Sequence, residues 1–422
     1  MAAARCANSL SAVRHTVSWV ITTVAVSGYR SLRDVLVPLH GLDVVTGANG
    51  SGKSSLYRSL RLLADCARGQ VVGSLAAEGG LPSALWAGPE SLNGARRRGQ
   101  PVQGTVRTGP VSLRLGFATD DGFSYLVDLG LPARTGGPTA FELDPEVKRE
   151  LVWSGPVARA GSILVERRGP TVRVRGRRGW ETISTSLPTH ASMLTELADP
   201  SRAPELIAVR EQIRGWRFYD GFRVDAHAPA RRVQIGTRTP VLDNDGSALA
   251  AALQTIVEIG DERALTQAVA DAFDGATLAV QVDAARFDLA LRQPGMLRPL
   301  GAAELSDGTL RYLLLVAALL TPRPPALMIL NEPETSLHPD LLAPLARLVR
   351  QAAERTQIVV VSHSDALIAE LVPERWPDDL PLDEDDDEGS AVGSVHLVKD
   401  LGETRVEGQG LLTTPAWAWG SR

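Results

Sequence analysis

Lysine is the scarcest charged residue in this chain. Of 44 basic residues among 422, only Lys53, Lys148 and Lys399 are lysines, so 41 are arginines. A bias this general reflects GC-rich coding more often than phosphate recognition. Cysteine is scarce too. Cys6 and Cys66 offer neither a disulfide framework nor a thiolate metal site, and they suit a reducing compartment. No run of eighteen apolar residues occurs, which argues against a helical membrane span and a membrane partner. The opening stretch, Met1 to Thr16, has two arginines and a histidine but lacks the apolar centre of a signal peptide. Residues 1–19 are therefore expected to form a loose extension, with the cytoplasm as the expected location. The net charge of −5 is a mildly acidic balance that alone gives no sign of a nucleic-acid partner. The length allows two or three folding units of about 150 residues each.

One of the three lysines lies in Gly47-Ala48-Asn49-Gly50-Ser51-Gly52-Lys53-Ser54, which matches the phosphate-loop pattern of Gly, four residues and Gly-Lys-Ser without a mismatch. The context agrees. Leu42 to Val45 is an apolar run that predicts a strand, and Ser55 to Leu63 has the apolar spacing of a helix. Glycines let successive N–H groups turn toward phosphate oxygens, and the following helix adds its positive end. Lys53 is expected to reach the β- and γ-phosphates, and the Ser54 hydroxyl to hold Mg²⁺. Gly47, Asn49, Gly50, Ser51, Gly52 and Ser55 complete the expected nucleotide contacts. A nucleoside triphosphate is thus the expected ligand. The alternative is a Gly-rich turn with no ligand.

Strands are predicted at Val20–Val26 and Val35–Leu39, with a turn at Gly28 to Leu32. Gly69 to Pro110 resists assignment. Short strands recur at Val111–Ala118 and Phe123–Leu129. Residues 151–240 stand apart by charge, with 15 arginines against 8 acids. Ile163 to Arg175 predicts a hairpin around Gly169-Pro170. Helices are predicted at Ala203–Arg214, Ala248–Ile259 (capped from Asp243 to Ser247) and Glu262–Phe273, then strands at Leu278–Val282 and Phe287–Leu291. From Glu304 onward the alternation of helix and strand indicates a parallel α/β layer.

That last third holds three further pieces. Leu305-Ser306-Asp307-Gly308-Thr309 opens an apolar helix and forms either an anion-binding terminus or an ordinary N-cap. The apolar strand Ala326–Leu330 ends in Asn331-Glu332-Pro333-Glu334, the Walker B arrangement or a capped strand end. The strand Ile358–Val361 is followed by Ser362-His363-Ser364, where the histidine either caps the strand or contacts a γ-phosphate.

The order of these pieces, with Ser336-Leu337-His338-Pro339 between the last two, resembles ABC-type ATPases of the RecF and SMC kind, in particular the AAA_21-like group. Tyr29-Arg30-Ser31-Leu32 and Gly80 to Gly88 are similar to that group as well. The resemblance spans about Val20 to Val398 and is weakest between Pro89 and Glu211. It implies an α/β P-loop NTPase whose head combines a mixed β-sheet lobe with a parallel α/β core. Its parts are then 20–130 and 246–400 for the head, 131–245 for an inserted α+β lid, and 401–422 for a tail.

The resemblance also implies roles. Two heads would sandwich two ATP molecules as an ATP-dependent homodimer, with Ser306 and Gly308 of each signature completing the other's site. Glu332 would be the general base or water-positioning residue, Ser336 to His338 the D-loop and His363 the switch histidine; Arg30 would join the nucleotide contacts, and Asn331 would stand beside Mg²⁺ with Ser54. Two positions depart from the pattern. Asp307 replaces a signature glycine and would repel phosphate unless it turns away or finds a cation. Asn331 replaces the Walker B aspartate and removes a charge beside the metal. A Q-loop glutamine is not placed among Gln70, Gln100 and Gln103.

Two functions compete on this basis. One is an ATPase acting on DNA in repair, chromosome maintenance or phage defence, with the Arg-rich middle meeting phosphates. The other is a regulatory ATPase whose partner is a separately encoded effector such as a nuclease. A transporter ATPase fits poorly with the long middle region. A Toprim nuclease in the same chain is not expected in the 59 residues after His363. The acidic run Asp383 to Glu388 is expected to be a solvated loop.

Overall fold

The structure is a computed structural model that describes residues 19–89, 111–132, 140–372, 392–410 and 412–421. Residues 1–18, Cys6 among them, Gln100, Gln103 and the run Asp383 to Glu388 lie outside the described residues.

The chain opens with β1 (Ile21–Tyr29), β2 (Leu32–Pro38) and β3 (Leu42–Thr46), then α1 (Lys53–Arg68), α2 (Val71–Ala77) and α3 (Leu81–Ala84). Six strands follow: β4 (Leu113–Thr119), β5 (Phe123–Gly130), β6 (Glu146–Ser154), β7 (Ile163–Arg168), β8 (Thr171–Gly176) and β9 (Gly179–Ser184). Next come α4 (Met193–Glu196), α5 (Pro204–Arg214), β10 (Arg217–Tyr219), β11 (Gln234–Ile235), α6 (Leu249–Ile259) and α7 (Glu262–Ala272). The hairpin β12 (Thr277–Asp283) and β13 (Arg286–Arg292) leads through β14 (Leu300–Gly301) to α8 (Asp307–Leu319). The chain closes with β15 (Leu327–Asn331), α9 (Leu342–Ala353), β16 (Gln357–Val361), α10 (Asp365–Leu371), β17 (Gly393–Asp400) and β18 (Glu403–Val406).

The strands sort into three sheets. An antiparallel sheet runs β2-β1-β4-β5-β6-β7-β8-β9. A second sheet, β10-β15-β16-β3-β17-β18, is parallel from β10 to β17. A small third sheet joins β11, β13, β12 and β14. The parallel strands β3, β15 and β16 are buried along nearly their whole length, as strands covered on both faces must be. Their uninterrupted apolar runs made them readable in the sequence. Region 131–245 supplies β6–β9 to the antiparallel sheet and β10 to the parallel one, so it is built into both lobes.

The predicted Arg-rich hairpin is β7–β8, turning at Gly169-Pro170. Several of its arginines face inward or pair locally. Arg167 is fully buried and donates to Glu150 Oε2 at 2.9 Å. Glu166 accepts from Arg168 at 2.8 Å and from Arg173 at 2.6 Å. Arg175 stacks over Trp180 at 4.7 Å.

Two local expectations change. Asp243 to Ser247 do not cap α6, whose N-cap is Ala248 with no side-chain bond. Asn244 Oδ1 instead accepts the Phe218 N–H of β10 at 3.2 Å, which satisfies that edge of the sheet. Residues 401–422, expected as a tail, contribute β18 and two packed tryptophans. Trp417 meets Trp153 at 5.5 Å, and Trp419 Nε1 donates to Asp34 at 3.1 Å.

Candidate nucleotide-binding site

The parallel sheet brings three strand ends together. Val361 pairs with Asn331 on one side and with Val45 on the other. The Glu332 N–H donates to Val361 O at 2.8 Å, and the Ser362 N–H to Val45 O at 3.1 Å. The predicted phosphate loop, Walker B residues and switch histidine thus leave neighbouring strands at one edge, where open α/β sheets bind ligands.

The loop links β3 to α1. Ala48 to Gly50 and Ser54 are exposed, while Ser51 to Lys53 are buried. Lys53 Nζ turns back on the carbonyls of Gly47 and Ala48. Among the described residues no side chain caps α1, so its first N–H groups stay available to an anion. Gly47 and Gly52 have φ of 141° and 115°, a region that L side chains rarely adopt. Space demands glycine there as well. A Cβ on Gly47 would lie 2.3 Å from Leu397 O, and one on Gly52 would lie 2.3 Å from Thr404 Oγ1.

That second contact reveals a part of the site that the sequence did not suggest. Thr404, fully buried on β18, donates from Oγ1 to Ser51 O at 2.6 Å and shares a hydrogen bond with the Ser31 hydroxyl at 2.8 Å. Its N–H donates to Ser31 O at 2.8 Å. Thr404 therefore joins the Tyr29-Arg30-Ser31-Leu32 turn to the back of the phosphate loop. Thr46, at the end of β3, is held by His396 of β17 at 2.8 Å.

Arg30 pairs with Glu78 at 2.7 Å, and Tyr29 Oη donates to the same carboxylate at 2.8 Å. Burial and this carboxylate together push the Tyr29 hydroxyl up from its ordinary pKa. Burial works against the Arg30 charge, but Glu78 outweighs it and raises the guanidinium pKa. Arg30 shares a cleft of about 480 Å³ with Tyr57, Arg58 and Arg61 of α1.

Asn331 ends β15. Glu332 follows with φ of 48°, a left-handed turn that brings it beside His363, whose Nδ1 lies 3.7 Å from Glu332 Oε1. Glu334 was not singled out in the sequence, yet it organises this corner. It is 9% exposed, and its Oε1 accepts from Ser362 Oγ at 2.6 Å and the His363 N–H at 3.2 Å. Its Oε2 is buried with no hydrogen-bond partner among the described residues. Arg311 of α8 donates to Glu332 O at 3.0 Å. Burial lowers the Arg311 pKa, and Glu334 and Glu332 partly offset this.

Ser306 is the N-cap of α8 and accepts the Thr309 N–H at 3.1 Å. Gly308 packs against Ser336, where a Cβ would lie 2.8 Å from Ser336 O. Ser306, Gly308, Ser336 and His338 line one open cleft, while Glu332, Glu334 and His363 line another. The phosphate loop lines neither. The structure gathers Glu332, His363 and Asn331 at the ends of strands that neighbour the one leading into the loop, and sets Ser306 and Gly308 in the cleft beside Ser336 and His338. Gln70 is an exposed residue before α2.

A glycine-rich loop between a parallel strand and a helix, beside a sheet end carrying Asn331-Glu332, defines a P-loop nucleotide-binding fold. The chain belongs to the AAA_21 family, described as "AAA domain, putative AbiEii toxin, Type IV TA system", which matches residues 44–369. No curated protein matches it. Among solved structures it is similar to an SMC head bound to the C-winged helix domain of ScpA, with a TM-score of 0.48, 13% identity, and coverage of 93% of this chain and 98% of that one. It is also similar to the SMC head domain from Thermotoga maritima, with a TM-score of 0.39, 14% identity, and coverage of 92% and 97%. A third similar structure is a Pyrococcus furiosus Smc head with an extended coiled coil, bound to the C-terminal domain of ScpA. Its TM-score is 0.45, with 11% identity and coverage of 92% and 95%.

Proposed function

We propose that this chain binds Mg-ATP at Gly47 to Ser54 and hydrolyses it as one half of an ATP-dependent homodimer. The observation that carries the reading is the uncapped start of α1. Among the described residues Lys53 there is held only by loop carbonyls, and a triphosphate would replace them as acceptors. Ser54 would hold Mg²⁺, with Asn331 accepting from a metal-bound water. Glu332 would orient and deprotonate the attacking water, and His363 would meet the γ-phosphate. Ser306 and Gly308 line a different cleft from Glu332 and His363, and they would contribute to the site of a second copy. Sedimentation of Glu332→Gln tests this. ATP should double the mass of this slow variant, and an unchanged mass would remove the homodimer.

Action on another protein is favoured over direct DNA contact through the middle region. Arg167, Arg168, Arg173 and Arg175 are already engaged by Glu150, Glu166 and Trp180 within the fold. Repair, chromosome maintenance and phage defence remain the settings in which a DNA-linked role would act. ATP turnover measured with and without DNA decides between the two. Stimulation that disappears at high salt would establish DNA contact and overturn the protein-target reading.

A further inference from the structure

Asp307 puts a carboxylate where the signature segment would have to approach a phosphate. An uncompensated negative charge there opposes binding. Its side chain is 63% exposed, and Arg231, only 8% exposed, donates to Asp307 Oδ1 at 2.5 Å. The rest of the guanidinium is occupied by backbone. Nη1 donates to Leu305 O at 2.6 Å, and Nε to Val224 O at 2.9 Å. One arginine thus fixes the residue before Ser306 and neutralises the residue after it. Arginine suits this place because it stays charged and spreads its donors in a planar fork.

We propose that Arg231 is a positioning residue for the signature. It cancels the Asp307 charge and holds Leu305, so that Ser306 and the N–H groups around Gly308 can meet the triphosphate of a second copy. This rests on the two-copy reading above, and the pair of residues sits 76 positions apart in the sequence, 231 against 307. The signature's departure at Asp307 is then a matched substitution within this chain.

Mixing full-length variants separates the two claims. Lys53→Ala loses its own loop but keeps an intact signature, and Ser306→Arg does the reverse. Each should be inactive alone. Mixed, they should recover up to about a quarter of the unsubstituted turnover, since half of randomly assorted pairs carry one intact site. No recovery would sink the two-copy reading, whatever Arg231 does. With recovery in hand, Arg231→Ala replaces Ser306→Arg. Alone it should bind a non-hydrolysable ATP analogue normally, yet turn over ATP at least about tenfold more slowly. Mixed with Lys53→Ala, it should recover as the control does. Loss of analogue binding, or no recovery on mixing, overturns the Arg231 role. Asp307→Asn added to Arg231→Ala should restore several-fold of the lost turnover, because the charge to be cancelled is gone; no restoration overturns the charge-cancelling part. Arg231→Gln keeps donors for Leu305 O without the charge. It guards against a folding defect, and the same rescue by Asp307→Asn is expected.

Discussion

On the proposed reading, Asn331 would leave the metal side of the phosphate loop one negative charge short of the usual arrangement. Restoring it by Asn331→Asp should tighten Mg²⁺ by about tenfold, read from the metal dependence of ATP turnover, since a carboxylate near a divalent cation outweighs an amide. Glu334 complicates the comparison in a useful way. Its buried Oε2 has no hydrogen-bond partner among the described residues, and its Oε1 lies 3.6 Å from His363 Nδ1. Glu334→Gln loosens the hold on Ser362 and His363 and should lower turnover, while nucleotide affinity stays nearly constant. Glu332 and His363 were legible in the sequence because each follows an apolar strand in a fixed order. Glu334 was not. Its role depends on the register that sets Asn331 beside Val361, and a single sequence does not print register.

Among the elements, the hairpin β17–β18 does more for the site than its position suggests. It backs the phosphate loop through Leu397 and Thr404 and reaches Ser31 at the same time. Thr404→Val removes the hydroxyl that donates to Ser51 O. It should weaken ATP binding by about 1 kcal/mol in calorimetry, and Thr404→Ser should keep most of it. The β6–β7 pair carries a different device. Arg167 and Glu150 are both fully buried, and Tyr125 and Ser192 also donate to Glu150. Arg167→Ala strands that carboxylate and should cost about 3–5 kcal/mol of folding stability in urea titration, with little change in ATP affinity if folding is complete. Both elements show why sequence reading stopped where it did. The strands β3, β15 and β16 announce themselves as apolar runs. The β7–β8 hairpin showed its turn, but not that its arginines face Glu150 and Glu166. That follows from neighbours up to 17 residues away across the sheet.

At the scale of the molecule, the two larger sheets share the loop, because β1 and β2 reach it through Ser31 and β3 leads directly into it. A ligand that seats there should stabilise the entire fold. Mg-ATP at about 100 times its dissociation constant should add about 2.7 kcal/mol, seen as a rise in melting temperature that Lys53→Ala abolishes. The P-loop class was readable from motif order between about Val20 and Val398. The merging of region 131–245 into both lobes was not, since strand pairing across long separations leaves no local signal. The Thr404 contact has one more consequence, and it concerns synthesis. Ser51 emerges early, but the hydroxyl that holds its carbonyl follows 353 residues later. At about 5–20 residues per second, the growing chain carries the loop without its wall for tens of seconds. ATP is thus a poor scaffold for the nascent chain, and nucleotide is expected to be a late arrival, taken up once the last strands have closed.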